Sequence, residues 1–330
     1  MQLKEINIDT DFELWNSIVL NSPDFYTVAH NPSLIQYLDK TLQWEGKNLI
    51  IMNAEEIIGV YQHSFPAENK SVSMPHFSYG GIIRKNDDYS KKEIFSKISN
   101  NLEGAFEIRD FEPYTSYFDD SKVATFLMLE ATVEAQLTIL KSNHRRKIKK
   151  AYKNNLEVKI ESSKDAILDF YKIYTKNMLR LGSPPLSKKF FLNLIEYYKF
   201  GEVKVFLVYK NEEIIGGAIA LSYNDFIEDC WLSTISKYNH LYTSVLLYWE
   251  MIKDAIENNK KIFSFGRSTK GSSLLKFKGQ WNPIEKQLYF SYSEKQKISL
   301  KKMTFLTKLW KLLPLRVANI IGPKIADKLY

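Results

Sequence analysis

Hydrophobic and polar positions follow a pattern that occurs twice along the chain. The apolar runs NLIIMN (48–53) and VKVFLVYKN (203–211) each lead into the pentapeptide EEIIG, at 55–59 and 212–216. Each pentapeptide leads into another apolar run, VYQHSF (60–65) and GAIALSY (217–223). Strand, acidic turn, strand is a hairpin signature. Matched flanks favour internal duplication over a chance repeat. The segments that follow also correspond. The first hairpin is succeeded by an apolar segment ending in HFSYGGII (76–83), a helical stretch near 89–103 and AFEIRDF (105–111). The second is succeeded by FIEDCWLST (226–234), a helix near 242–258 and KIFSFG (261–266). In that helix Val245, Leu246, Trp249, Ile252, Ala255 and Ile256 form the stripe of a helix packed on one side. Each half reads as an α+β lobe, a mostly antiparallel sheet overlaid by helices.

Between the halves, KVATFLMLE (122–130) predicts a strand and 133–154 a helix with Leu137, Leu140, His144, Ile148 and Ala151 on one face. Arg145, Lys149 and Lys153 recur every four residues, giving a basic stripe beside that face. A helix near 165–180 stops at LGSPP (181–185), and another is expected over 187–199. The implied division is 1–130, 131–297 and a tail, 298–330.

Composition narrows the class. With 330 residues, 45% apolar and 25% charged, the chain is globular and long enough for two domains. No stretch reaches the roughly 18 apolar residues of a membrane span, and MQLKEINIDTDFELW lacks the pattern of a secretory signal. A single cysteine, Cys230, excludes disulfides within the chain. A cytoplasmic protein is expected, and no metal site, since the five histidines show no ligand spacing. The net charge of +8 is localised: residues 295–330 carry nine basic residues and one acid, and 141–153 carry seven and none. Two basic segments on a balanced body suggest contact with an anionic partner.

The densest candidate chemistry is FGRSTKGSSLLKFKGQWNP (265–283), read as a strand entering a glycine-containing loop. Arg267, Ser268, Lys270, Lys276 and Lys278 offer cations and a hydroxyl, and Phe277 and Trp281 flat faces, for an anionic ligand. The plainer reading is a solvated lysine-rich loop. Strand alternation places Asp229 and Trp231 on one face, with Asp229 a proton acceptor or a surface ion pair. Tyr79, beside Gly80 and Gly81, marks an acceptor groove or a tight turn. The tail, 297–313, sets Lys297, Lys301, Lys308 and Lys311 opposite Met303, Leu306, Leu309, Trp310 and Leu313. It is either an ordinary docked helix or a peripheral membrane contact.

The order of HRRKIKKAYK, FYKIYTKNMLRLG, EEIIGG, LLYWEMIKDAIEN and FSFGRS…GSSLLKFKGQW, with the LPLRVANIIGPKIADKLY ending, resembles the FemAB-type aminoacyltransferases and their polysaccharide-associated GNAT-like relatives. The resemblance implies two tandem GNAT-like lobes and transfer of an acyl or aminoacyl group to an amine of a cell-envelope precursor. It places Phe277 and Lys278 at the family's Phe-Lys pair and Arg180 with Gly182 at its arginine ahead of a glycine. Lys278 and Asp229 are then the catalytic candidates; Arg180, Trp231, Arg267, Ser268, Phe277, Trp281 and Tyr79 are candidates for substrate binding. Arg145 and Lys149 are candidates for nucleic-acid or phosphate contact. The chain departs from the family in two ways: KYNHLYTS (237–244) has no glycine cradle for CoA, and there is no room for a coiled-coil arm. No bound cofactor is expected; the donor, aminoacyl-tRNA or acyl-CoA, is a co-substrate, with the missing cradle leaning toward the former. A lipid- or nucleotide-linked precursor and tRNA are the expected partners. A non-catalytic pair of lobes that binds precursor is the alternative.

Overall fold

The computed structural model describes residues 1–102, 104–295 and 306–328. The first half supplies β1 (Gln2–Glu5), β2 (Gly46–Asn53), β3 (Glu56–Ala67), β4 (Lys70–Val72), β5 (Ile83–Arg84), β6 (Ala105–Asp110) and β7 (Phe118–Met128). The second supplies β8 (Glu157–Glu161), β9 (Gly201–Lys210), β10 (Glu213–Tyr223), β11 (Phe226–Thr234), β12 (Ile262–Thr269) and β13 (Ile284–Tyr292). The helices are α1 (Ile8–Leu20), α2 (Ser33–Leu42), α3 (Lys91–Ile98), α4 (Val133–Ile139), α5 (Ser142–Lys153) and α6 (Lys164–Leu181). They continue as α7 (Lys188–Tyr197), α8 (Thr243–Glu257), α9 (Ser273–Lys278) and α10 (Leu315–Ala326).

Both EEIIG segments form equivalent hairpins. Ile51 pairs with Gly59 and Met52 with Ile57, so Ile58 bulges; Val208 pairs with Gly216 and Tyr209 with Ile214, so Ile215 bulges. Each hairpin has an antiparallel edge strand, β1 on β2 and β8 on β9. Each is followed by a strand pairing in parallel with the strand after the next helix: β4 with β6, and β11 with β12. The counterpart of β11 is therefore the short β4, not the expected 76–83 segment. Residues 73–80 instead fill the space where β4 and β6 part, through Ser73 N to Glu107 O at 2.9 Å and Gly80 N to Arg109 O at 2.9 Å.

The two lobes exchange strands. β7 hydrogen-bonds to β12 of the second lobe, and β13 to β6 of the first, while β7 and β13 pair with each other. One continuous sheet results, in the order β1-β2-β3-β4-β6-β13-β7-β12-β11-β10-β9-β8. On the second lobe α6 and α7 cover one face and α5 and α8 the other. α8 contributes Leu246, Leu247, Met251 and Ile252, each fully buried, at about 1.5–3 kcal/mol per large apolar side chain.

The single helix expected over 133–154 is two helices. Leu140 leaves helical geometry (φ −73°, ψ 146°) and is buried at the break. Arg145 Nη1 donates to Thr138 O at 2.8 Å, satisfying one of the carbonyls that a helix end leaves unpaired. α6 ends as LGSPP predicts, with Gly182 at φ +81° and the amides of Gly182 and Ser183 returning to Met178 O at 3.0 Å.

Candidate functional site

β11 and β12 hold together only through Phe226↔Ile262, Ile227↔Phe263 and Glu228↔Ser264. Beyond Glu228 and Ser264 no further pairs form, which leaves a notch between 229–231 and 265–267. Local irregularities shape both sides. Against β10 the register passes from Ile219↔Trp231 to Ala220↔Asp229, so Cys230 bulges. Against β7 it passes from Ser264↔Phe126 to Arg267↔Ala124, and Gly266 sits at φ +66°, the left-handed region that glycine enters without strain. The Cys230 bulge overturns the expected alternation. Trp231 shares the face of Glu228 and packs on Phe77, Phe190 and Phe191, whereas Asp229 faces α8.

The segment 265–283 is not one open loop. After β12 and a turn at Gly271, Ser272 caps α9 by accepting from Leu275 N at 3.2 Å. α9 turns Lys278 inward, where it is only 3% exposed. Its ammonium donates to the carbonyls of Phe265 and, at 3.2 Å, Arg267. Desolvation lowers its pKa to about 8, against the attraction of Asp229 and Glu228. Asp229 is also buried, and its Oδ1 has no hydrogen-bond partner. Desolvation raises this carboxyl to about 7, opposed by Lys278 and by the Tyr248 hydroxyl of α8. A carboxyl and an ammonium thus influence each other electrostatically at the notch, both drawn toward neutrality by burial.

A second network on the other face fixes the strands. Tyr79 Oη donates to Glu228 Oε2 at 2.5 Å and lies 2.6 Å from Ser264 Oγ; Ser264 Oγ donates to the same carboxylate oxygen at 3.0 Å. Burial raises the Glu228 pKa, and these hydroxyls oppose the rise. Arg267 Nη1 and Arg109 Nη1 converge on Phe77 O at 3.2 and 3.1 Å. Both guanidiniums lie over the Phe290 ring, at 5.4 and 5.0 Å. Desolvation and then Arg109 bring Arg267 down to about 10. The first lobe thereby braces the second lobe's notch.

The other candidates divide. Ser268 is buried with an unpaired Oγ, and Phe277 is partly buried against Tyr248, with ring centroids 5.9 Å apart. Tyr79 and Trp281 are fully buried; Trp281 meets the His144 ring of α5 at 4.2 Å. α5 also reaches the end of α9 through Lys147 Nζ to Gln280 Oε1 at 2.6 Å. On α5, Lys149 is exposed while Arg145 turns back to α4. Arg180 is not brought into the notch. It is exposed and donates to Asn177 at 2.8 Å, whose amide contacts Ser233 of β11 at 3.2 Å. Sequence reasoning missed Tyr248, Glu228 as a network carboxylate, Ser264 and Arg109. A tyrosine inside the apolar stripe of α8 was the available signal for the first. Among the described residues no group of three or more His, Cys, Asp or Glu is arranged to hold a metal.

Residues 140–278, which contain both Asp229 and Lys278, match the acetyltransferase (GNAT) domain family. The crystal structure of FemX superposes with TM-score 0.65 at 13% identity, covering 88% of this chain and 97% of that one. The chain has the tandem GNAT fold. A tandem GNAT protein from the clavulanic acid biosynthesis pathway gives TM-score 0.55 at 6% identity, covering 90% and 99%. The C-terminal domain of a putative lysylphosphatidylglycerol synthetase from Agrobacterium fabrum gives 0.54 at 10% identity, covering 86% and 92%. No curated protein matches the sequence. The expected FemAB-like, GNAT-type resemblance therefore holds for the architecture. In the GNAT domain of the second lobe, the notch is where β11 and β12 part; in the first lobe the same position is closed by residues 73–80.

Proposed function

We propose that the protein transfers an acyl or aminoacyl group to an amine of a cell-envelope precursor, a peptidoglycan peptide or an amino sugar of a polysaccharide. The observation that carries this reading is the unpartnered Asp229 Oδ1 beside buried Lys278 at the parting of β11 and β12. Acyl transfer needs a base for the attacking amine and a cation where charge develops on the carbonyl oxygen. Asp229 takes the amine proton as nitrogen bonds to the donor carbonyl carbon. The Lys278 ammonium faces the oxyanion. Collapse of the tetrahedral species expels the donor's alcohol or thiol, which leaves with the proton held by Asp229. Ser268, with its unpaired Oγ, and Arg267, whose guanidinium lies on the Glu228 face of the sheet, flank this region and suit a phosphate or carboxylate of the acceptor.

The donor reading favours aminoacyl-tRNA or another donor without CoA. Support comes from α5, which packs against the end of α9 and carries exposed Arg146, Lys149, Lys150 and Lys153. The envelope reading is supported by the shared fold of the putative lysylphosphatidylglycerol synthetase domain, whose name describes an aminoacylated lipid. The test is incubation with candidate aminoacyl-tRNAs and acyl-CoAs in turn, with peptidoglycan-type and amino-sugar acceptors, followed by acceptor mass. One pairing gaining the mass of the transferred group is the expected result. Tight precursor binding with no mass gain from any donor would favour a non-catalytic pair of lobes.

A further inference from the structure

The C-terminal segment docks on the body in a way that leaves most of its large apolar side chains outside. Residues 306–310 are helical and approach the end of α6, where a Cβ at Gly182 would stand 2.5 Å from Thr307 O. α10 turns its small residues inward: Ala318, Gly322 and Ala326, spaced four apart, are buried. A Cβ at Gly322 would meet Pro185 Cδ at 2.4 Å. The one acid of the segment, Asp327, accepts from Ser187 N at 3.0 Å and so anchors the helix end.

A helix docked on a globular core ordinarily buries its largest apolar residues. Here the order is reversed. Leu306, Leu309, Leu312, Val317, Ile320 and Ile325 are all exposed, Leu312 at 80% and Ile320 at 66%. Lys308, Lys311, Arg316, Lys324 and Lys328 are exposed among them, and none has an ion-pair partner among the described residues. No described helix is long and apolar enough to cross a membrane. The rest of the expected tail helix, 297–305 with Lys297, Lys301 and Met303, lies outside the described residues.

We infer that residues 306–328 form an interfacial docking surface for an anionic lipid bilayer. A bilayer surface offers what this face is shaped for: hydrocarbon just below the headgroups for leucine and isoleucine, and negative charge at headgroup level for the surrounding lysines and arginine. A neutral protein groove would leave five cations without partners. Gly182, Pro185 and Ser187 hold the segment to the lobe, so the body of the protein is carried to the membrane and not merely tethered. This inference does not depend on the transfer reading.

Co-sedimentation of the whole chain with vesicles of equimolar phosphatidylglycerol and phosphatidylcholine, against vesicles of phosphatidylcholine alone, tests it. The chain is expected to pellet with the anionic vesicles and to be released by salt. Lys308→Glu with Lys324→Glu should cut the partition by more than about 25-fold, from roughly fivefold per basic residue at an anionic surface. Leu312→Ser with Ile320→Ser should abolish it while leaving the melting temperature unchanged, because both side chains are already exposed. No pelleting, or pelleting indifferent to both variants, overturns the inference. So does a dimer in light scattering that Leu312→Ser with Ile320→Ser dissociates while vesicles bind nothing, since the face would then join two copies of the chain.

Discussion

At the scale of single residues the proposed chemistry rests on two groups whose pKa values have converged. Asp229 is raised to about 7 and Lys278 lowered to about 8, each chiefly by desolvation. The base form of Asp229 is lost as pH falls below about 7, and the ammonium of Lys278 as pH rises above about 8. The kcat/KM of transfer should therefore be a narrow bell whose two limbs belong to the pair. Asp229→Asn should remove the acid limb along with most of the rate, and a rate independent of pH between 6 and 9, roughly, would deny both groups a role. Tyr79→Phe removes a donor from buried Glu228 and should cost about 1–3 kcal/mol in denaturant unfolding; an unchanged midpoint would show the network to be idle. Lys278 and Asp229 could be singled out in the sequence because one is the lysine of a recognisable Phe-Lys pair and the other interrupts an apolar strand. The Tyr79–Glu228–Ser264 network was not, since its members lie 149 and 185 residues apart in sequence.

Among the elements, the hairpins could be read because a turn flanked by apolar runs is a local signal. The bulges could not. The extra residue at Cys230 is set by pairing with β10, and it alone moves Trp231 off the face of Asp229. The break between α4 and α5 was hidden for a related reason: no glycine or proline marks it, and burial of Leu140 decides it. On α5, Lys149 and Lys150 are exposed, whereas Arg145 is turned back to Thr138. If tRNA is the donor, Lys149→Ala with Lys150→Ala should flatten the log–log salt dependence of binding by about one to two units, and Arg145→Ala by less. An unaltered slope would place the RNA elsewhere. α10 offers a separate test. Gly322→Val meets Pro185 and should undock the helix, seen as rapid proteolysis within 306–328 while the lobes stay intact; resistance equal to wild type would contradict the docking.

For the molecule as a whole, the duplication predicted two lobes, and the exchange of β7 and β13 joins them in one sheet. Strand exchange leaves no sequence signal, because β7 and β13 look like ordinary terminal strands of their own halves and find their partners only in three dimensions. A chain cut after residue 130 should yield a 131–330 fragment that does not fold alone, lacking β7 between β12 and β13; a cooperative melt of that fragment would refute the exchange as a stability requirement. Tyr79 and Phe77 of the first lobe brace the notch carried by the second, through Glu228 and Arg267. The measurement that bears most directly on the proposed transfer is the single-turnover rate of Lys278→Met against wild type, with donor and acceptor saturating and folding checked by its melt. A loss of about 100-fold or more is predicted, the scale at which removing one oxyanion-stabilising group acts. A folded Lys278→Met protein that transfers at the wild-type rate would contradict the account.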